Sequence, residues 1–222
     1  MVIFISFFNP DSRLLQKIAR GWGWILLKIA RVPVQVEGLE HLRPGQAYVY
    51  AANHRSNFDI FVLISTLPGR FLFVAKKSLF KIPVFGQALS AIGSVSVDRE
   101  NLQSAIQSLN RAAAIVKSGI SMIIFPEGTR ATSRELLPFK KGVFVMALKA
   151  GQPIVPVSIS GTRFIQPRKS LRVRPGPIKV VIASPIAPDA FRRKEDLIAA
   201  VRQAINASYD PDFPYGSENL EP

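Results

Sequence analysis

The chain contains no cysteine, which excludes a disulfide framework, a thiolate nucleophile and a Cys-ligated zinc. The redox compartment is left open. Histidine is nearly as scarce, with His41 and His54 the only two candidates for a neutral-pH general base. Acidic residues are few: 15 Asp and Glu stand against 29 Lys and Arg, for a formal charge of +14 and a pI near 10.5. No apolar run reaches the roughly 18 residues that a spanning helix needs. The longest uncharged run, Ile82 to Val97, is broken by Pro83, Gly86 and Gly93. Met1 to Pro10 is apolar but has neither a basic start nor a small-residue cleavage site, which argues against a secretory signal peptide. The Gly-x-Ser-x-Gly elbow, the Walker A loop, the His-Glu-x-x-His pair and the dinucleotide fingerprint are all missing. With two histidines and scattered carboxylates, no metal site is expected.

What is present points to a folded, basic and greasy protein. At 222 residues one domain is the default, long enough for a real core. A hydrophobic fraction of 48% and a mean hydropathy of +0.19 exclude a disordered polyelectrolyte. Taking about 100° per residue, Leu14, Ile18, Trp22, Ile25 and Ile29 share one narrow stripe, widened by Leu15 and Leu26. Arg13, Lys17, Arg20, Lys28 and Arg31 gather on a separate arc, opposed only by Asp11. Such a helix suits the headgroup region of anionic lipid. It also suits packing on its own domain, but the apolar Met1–Phe8 stretch adds surface that a small core need not absorb. Gly21 and Gly23 are expected to weaken the helix and bend it there.

Beyond this segment, strands and helices alternate. Strands are expected at 32–36, Ala47–Ala52, Arg70–Ala75, Ser94–Val97, Ile120–Phe125, Ile154–Ser160 and Lys179–Ala183. Helices are expected at Asn57–Leu67, from Leu102 to a stop at Gly119, at Gly142–Ala150 and at Arg193–Ala207. This order predicts an α/β fold with a largely parallel central sheet flanked by helices, preceded by an N-terminal amphipathic, membrane-associating helix. The expected divisions are a membrane-association segment over 1–31, an α/β domain over 32–208 and a polar C-terminal tail over 209–222.

In such folds sites gather beyond the carboxyl ends of strands, and four groups fall there. His54 lies in Asn53-His54-Arg55-Ser56-Asn57-Phe58-Asp59, directly after the Ala47–Ala52 strand. A turn into the following helix would let Asp59 accept the imidazole N–H, as an orienting carboxylate does in Ser-His-Asp sites. Ser56-x-x-Asp59 also matches a helix capping box, and the two roles are compatible. Phe125-Pro126-Glu127-Gly128-Thr129-Arg130 follows a buried strand, with Gly128 allowing close backbone approach and Arg130 offering a fork for phosphate. Lys76-Lys77 and Asp98-Arg99 follow two further strands. If those strands are neighbours, their cations converge as an anion site. His41, in a turn between strands, reads as a surface residue.

Taken together, these blocks resemble those of the glycerolipid acyltransferases, most nearly bacterial 1-acyl-sn-glycerol-3-phosphate (lysophosphatidate) acyltransferases. The match runs in order over about 34–161: Asn53-His54-x4-Asp59, Lys76 through Gly93-Ser-Val-Ser-Val-Asp98-Arg99, Phe125–Arg130, Pro138-Phe-Lys-Lys-Gly142 and Ile154-Val-Pro-Val157. The resemblance implies that His54 is the general base and Asp59 its orienting partner. It implies that Arg99, Glu127, Gly128, Thr129 and Arg130 bind the acceptor's glycerol phosphate, with Lys76 assisting, and that Pro156 helps shape the acyl-donor side. The implied reaction moves an acyl chain from acyl-CoA or acyl-carrier protein to the 2-hydroxyl of 1-acyl-glycerol-3-phosphate, making phosphatidic acid. No cofactor beyond the acyl carrier is implied. The implied location is the cytoplasmic face of the cell membrane, held peripherally or monotopically. Arg55 departs from the family, standing where many members have Gln, and Asn57 is an uncommon choice; Arg55 is expected to bias which anion binds nearby.

A sister enzyme acylating glycerol-3-phosphate, another lysophospholipid or a lyso-aminolipid would carry the same His-Asp pair. A nucleic-acid binder would interleave aromatics with its cations; here most aromatics are Phe in apolar strands, so no nucleic acid is expected. A non-catalytic lipid-binding protein would not need His54 and Asp59 with intact acceptor blocks. Five basic residues and no acid lie between Arg163 and Arg174, a segment suited to an acidic lipid or an acidic carrier.

Overall fold

The computed structural model describes residues 13–83 and 85–215. Its centre is a seven-stranded sheet: β1 (Val34–Glu37), β2 (Val49–Ala52), β3 (Phe71–Lys76), β4 (Val95–Val97), β5 (Ser121–Ile124), β6 (Ile154–Ser160) and β7 (Ile178–Ile182). The spatial order is β1-β7-β6-β2-β5-β3-β4. All neighbours are parallel except β6 and β7. The expected α/β sheet, largely parallel and flanked by helices, is therefore present.

Period-two alternation sorts the core into two layers. Tyr50, Ala52, Phe71, Phe73 and Ile123 face the layer containing α1 (Arg13–Ile29) and α2 (Phe58–Thr66). Val49, Ala51, Leu72, Met122 and Ile124 face α4 (Leu102–Lys117), α5 (Lys141–Ala150) and α7 (Lys194–Ser208). With both faces covered, the central strands β2, β5 and β6 are buried along their whole length, as expected for parallel strands. Two short helices were not anticipated: α3 (Phe85–Ala91), inside the Pro- and Gly-broken stretch, and α6 (Thr162–Ile165).

The helix α1 runs unbroken through Gly21 and Gly23 despite their weak helix propensity. Gly23 instead permits close packing: a Cβ there would lie 3.1 Å from the Phe61 carbonyl oxygen and 3.5 Å from Ile64. Leu15 and Leu27 are buried, Gln16 donates to the Phe71 carbonyl (2.9 Å) and Arg20 to the Gly69 carbonyl (2.6 Å). Yet Leu14, Trp22, Trp24, Ile25 and Ile29 remain about half exposed or more. The apolar stripe is divided, one flank on the domain and one outside. Among the described residues no helix is long and apolar enough to cross a membrane. The apolar Met1–Phe8 stretch lies outside the described residues.

At the other end, the expected tail over 209–222 is packed on the domain through Tyr215. Asp212 pairs with Arg134, and Phe164 meets Tyr215 edge to face at 5.2 Å. Within 209–215 the polar side chains make this ion pair and cap turns, as where Asp210 Oδ1 accepts the Asp212 N–H (2.8 Å).

Candidate active site

Four of the strands stand side by side in the order β2-β5-β3-β4, so the loops after them meet at one edge of the sheet. This adjacency meets the condition set by the sequence. A cavity of about 220 Å3 lies there, lined by His54, Lys76, Arg99, Gly128, Thr129 and Arg130 with Phe73, Leu79, Leu89 and Phe125. Cations rim it and apolar side chains floor it.

His54 is held at its imidazole, on its ring face and along its backbone. Strand β2 ends at Ala52, five residues turn, and α2 begins at Phe58, which brings Asp59 back beneath the turn. Asp59 Oδ2 lies 2.7 Å from His54 Nδ1 and also accepts the backbone N–H groups of Arg55 (2.7 Å) and Ser56 (2.8 Å). A carboxylate oxygen only accepts, so Nδ1 carries the hydrogen and Nε2 keeps its lone pair. The fully buried Asp59 thus caps the turn and orients the imidazole with one oxygen. The ring stacks on Phe125, centroids 3.9 Å apart and 18° from parallel. The backbone is held as well: His54 N–H donates to Glu127 Oε1 (2.9 Å) and its carbonyl accepts from Ala131 N–H (2.9 Å).

Asn53, the first residue of the motif, is wholly buried and never reaches the cavity. Its amide bonds both the N–H (2.7 Å) and the carbonyl (2.8 Å) of Ile159, tying the end of β2 to β6. Glu127 is likewise buried: Oε1 holds the His54 backbone, while Oε2 accepts from Leu137 N–H (2.8 Å) and Arg55 Nη1 (3.3 Å). Its place is beneath the cavity, bracing the His54 turn. Glu127 is not among the residues that line the cavity, where the resemblance implies a direct contact with the acceptor.

Arg55 also differs from expectation. It is 2% exposed, so it does not present charge to a nearby anion. Its guanidinium bonds Glu127, the Tyr209 hydroxyl through Nε (2.8 Å) and the Glu135 carbonyl through Nη2 (3.0 Å), and lies over the Tyr209 ring. Burial pushes the Tyr209 phenol above its ordinary pKa, although Arg55 opposes that shift. A buried cation must be paired, and nothing in the local pattern around 55 announced partners at 127, 135 and 209.

The remaining candidates lie on the cavity wall. Gly128 takes φ of 73°, and a Cβ there would come within 3.3 Å of Lys140 Cγ and 3.6 Å of Arg99 Nη1. Glycine is needed for the turn at this positive φ, and Arg99 Nη1 donates to the Gly128 carbonyl. Partial desolvation lowers the Arg99 pKa from the usual arginine value. Arg130 donates to Asn57 Oδ1 (2.9 Å), so the uncommon Asn57 aims the phosphate-binding candidate. Thr129 is exposed and lines the cavity; Lys76 is half exposed, with Glu100 a distant 3.8 Å away. Pro156 is buried inside β6 beside Ala51 and does not line this cavity. His41 sits beyond β1, exposed, donating to the Ile182 carbonyl (2.8 Å), on the opposite side of the sheet order. No group of three or more His, Cys, Asp and Glu suited to a metal occurs among the described residues.

The family profile Acyltransferase matches residues 33–160, which contain every candidate residue of this cavity. The chain belongs to the Acyltransferase family. It is an acyltransferase by that membership and by its relatives. It is 37% identical over 223 residues to 1-acyl-sn-glycerol-3-phosphate acyltransferase of Cocos nucifera, covering 99% of this chain and 71% of that one. To 1-acyl-sn-glycerol-3-phosphate acyltransferase alpha of Homo sapiens the identity is 33%, over 83% of this chain and 76% of the relative. Of the chloroplastic protein of the same activity from Arabidopsis thaliana, 37% identical, the chain spans only about half (52%). The crystal structure of the 1-acyl-sn-glycerophosphate (LPA) acyltransferase PlsC from Thermotoga maritima superposes with a TM-score of 0.81 at 29% identity. That likeness covers 93% of this acyltransferase and 84% of PlsC.

Proposed function

We propose that this acyltransferase moves an acyl chain from an acyl thioester to the 2-hydroxyl of 1-acyl-glycerol-3-phosphate, yielding phosphatidic acid. The observation that carries this reading is one cavity holding both an oriented His54–Asp59 pair and the cations Arg99 and Arg130. His54 Nε2 takes the hydroxyl proton as that oxygen attacks the thioester carbonyl. The tetrahedral intermediate collapses, the C–S bond breaks, and the imidazolium returns its proton to the leaving thiolate. Asp59 stabilises the transient imidazolium. Thiolate leaves readily, so no covalent enzyme intermediate is needed, in keeping with a chain that lacks Cys.

Arg99, Arg130 and Lys76 bind the acceptor phosphate in this reading, with Gly128 and Thr129 shaping the loop that faces it. Glu127 serves the acceptor indirectly, through the His54 backbone and Arg55. Either CoA or an acyl-carrier protein can present the thioester. The exposed flank of α1, with Leu14, Trp22, Trp24, Ile25 and Ile29, supports a peripheral seat on the membrane that holds the acceptor.

The test is product identification by mass spectrometry with labelled acyl-CoA and a panel of acceptors. Labelled phosphatidic acid from 1-acyl-glycerol-3-phosphate is expected. Labelled product only from glycerol-3-phosphate or a choline-bearing lysolipid would replace this acceptor with another.

A further inference from the structure

A second surface beside α1 has no part in the cavity. The segment 166–175 follows α6 without regular structure, yet both of its ends are anchored. Arg174 N–H donates to the Ile165 carbonyl (2.8 Å), Gly176 N–H to the Arg31 carbonyl (3.4 Å), and Arg168 Nη1 to the Arg130 carbonyl (3.0 Å). On this anchored loop Leu171 is 95% exposed, more than any other large apolar side chain among the described residues. Exposed Arg168, Lys169, Arg172 and Arg174 surround it in sequence. No acid occurs between Glu135 and Asp189, and none of these four cations pairs with a carboxylate among the described residues.

Backbone conformation supplies an independent observation. Among the described residues only two non-glycine positions have positive φ, Arg31 at 55° and Lys169 at 68°. Glycine would relieve the strain at both. Each instead carries a cation, and strain of this kind is retained where the side chain has a use. Arg31, at the end of α1, and Val173 and Pro175, on the loop, line opposite banks of one groove of about 690 Å3. Trp22, Ile29 and Phe61 are part of its apolar lining, and Asn57, which holds Arg130, also lines it.

We propose that the 166–175 loop and the C-terminal end of α1 together form a docking surface for an anionic lipid bilayer. Leu171 enters the acyl region while Arg31, Arg168, Lys169, Arg172 and Arg174 meet headgroup phosphates. The groove between the banks then opens into lipid and leads toward Arg130. An acidic carrier protein would match the cations, but not a Leu171 left 95% exposed among them, nor the exposed Trp22 and Ile29 that line the neighbouring groove. This surface deepens the proposed membrane seat of the acyltransferase, and its test uses no acyl donor, so the two readings fail separately.

The test is co-sedimentation of the full chain with phosphatidylcholine vesicles, with and without phosphatidylglycerol. Wild type should bind the phosphatidylglycerol vesicles, and salt should weaken that binding. Arg31→Gly and Lys169→Gly should melt no lower than wild type yet bind about five-fold more weakly each. Leu171→Ser should weaken binding about tenfold, at high salt as well as low. Unchanged vesicle binding in Leu171→Ser and in Arg172→Glu/Arg174→Glu would overturn the proposal. So would charge variants that lose only capture of acyl-carrier protein while holding vesicles as wild type does.

Discussion

One oxygen of Asp59 joins the imidazole of His54, 2.7 Å away, to the backbone N–H groups of Arg55 and Ser56 that shape the same turn. Cap and orienting group are therefore one atom. Asp59→Asn retains the volume but places an amide against three donors. It should lower kcat about a hundred- to ten-thousand-fold and leave the acceptor KM nearly unchanged. Steady-state kinetics on folded protein checks this; a loss of less than about tenfold would separate Asp59 from the chemistry.

The buried Arg55–Glu127 pair leads to a stability prediction. Removing one member leaves the other charged and unpaired in the interior, a change that costs about 3–5 kcal/mol. Glu127→Ala should fall in that range by urea unfolding, and should also loosen the His54 backbone. The double variant Arg55→Met/Glu127→Leu should recover most of the lost stability. Recovery of activity in that variant would contradict the bracing role of Glu127.

Arg130 is expected to act on binding. Loss of one charge-assisted contact is worth about 1.5–3 kcal/mol, so Arg130→Ala should raise the KM for 1-acyl-glycerol-3-phosphate at least about tenfold. An acceptor without phosphate, such as a monoacylglycerol, should show no such penalty. Equal loss with both acceptors would argue for a general structural role through Asn57.

Burial raises the phenol pKa of both Tyr50 and Tyr209, desolvation being the largest cause in each. The unfolded chain then loses these protons first as pH climbs, near the ordinary tyrosine value of about 10. Fewer bound protons in the unfolded state mean that stability falls with rising pH there. Thermal melts between neutral pH and pH about 11 should show that decline, and Tyr50→Phe/Tyr209→Phe should flatten it. Parallel declines in both proteins would count against it.

The elements that build the sheet were legible because their signals are local. Continuous apolar runs marked the buried strands, and Gly119, at positive φ, closes α4 where its position predicts, as Gly151 closes α5. The convergence of the four loops depended on strand order, which no local pattern encodes. Asn53 bonding Ile159, Arg55 bonding Tyr209 and Arg130 bonding Asn57 span 73 to 154 residues of chain. For that reason the buried Arg55 read as a surface cation. The amphipathic period of α1 was visible, but how its stripe divides between α2 and the exterior depends on the crossing at Gly23.

The central claim is base catalysis by His54 in acyl transfer. Release of CoA from oleoyl-CoA, with lysophosphatidate in mixed micelles, can be followed with a thiol-reactive dye because the chain has no Cys to react. Wild type should release CoA only when acceptor is present, and His54→Ala should abolish that release while remaining folded. Acceptor-dependent release that survives in His54→Ala would contradict the account.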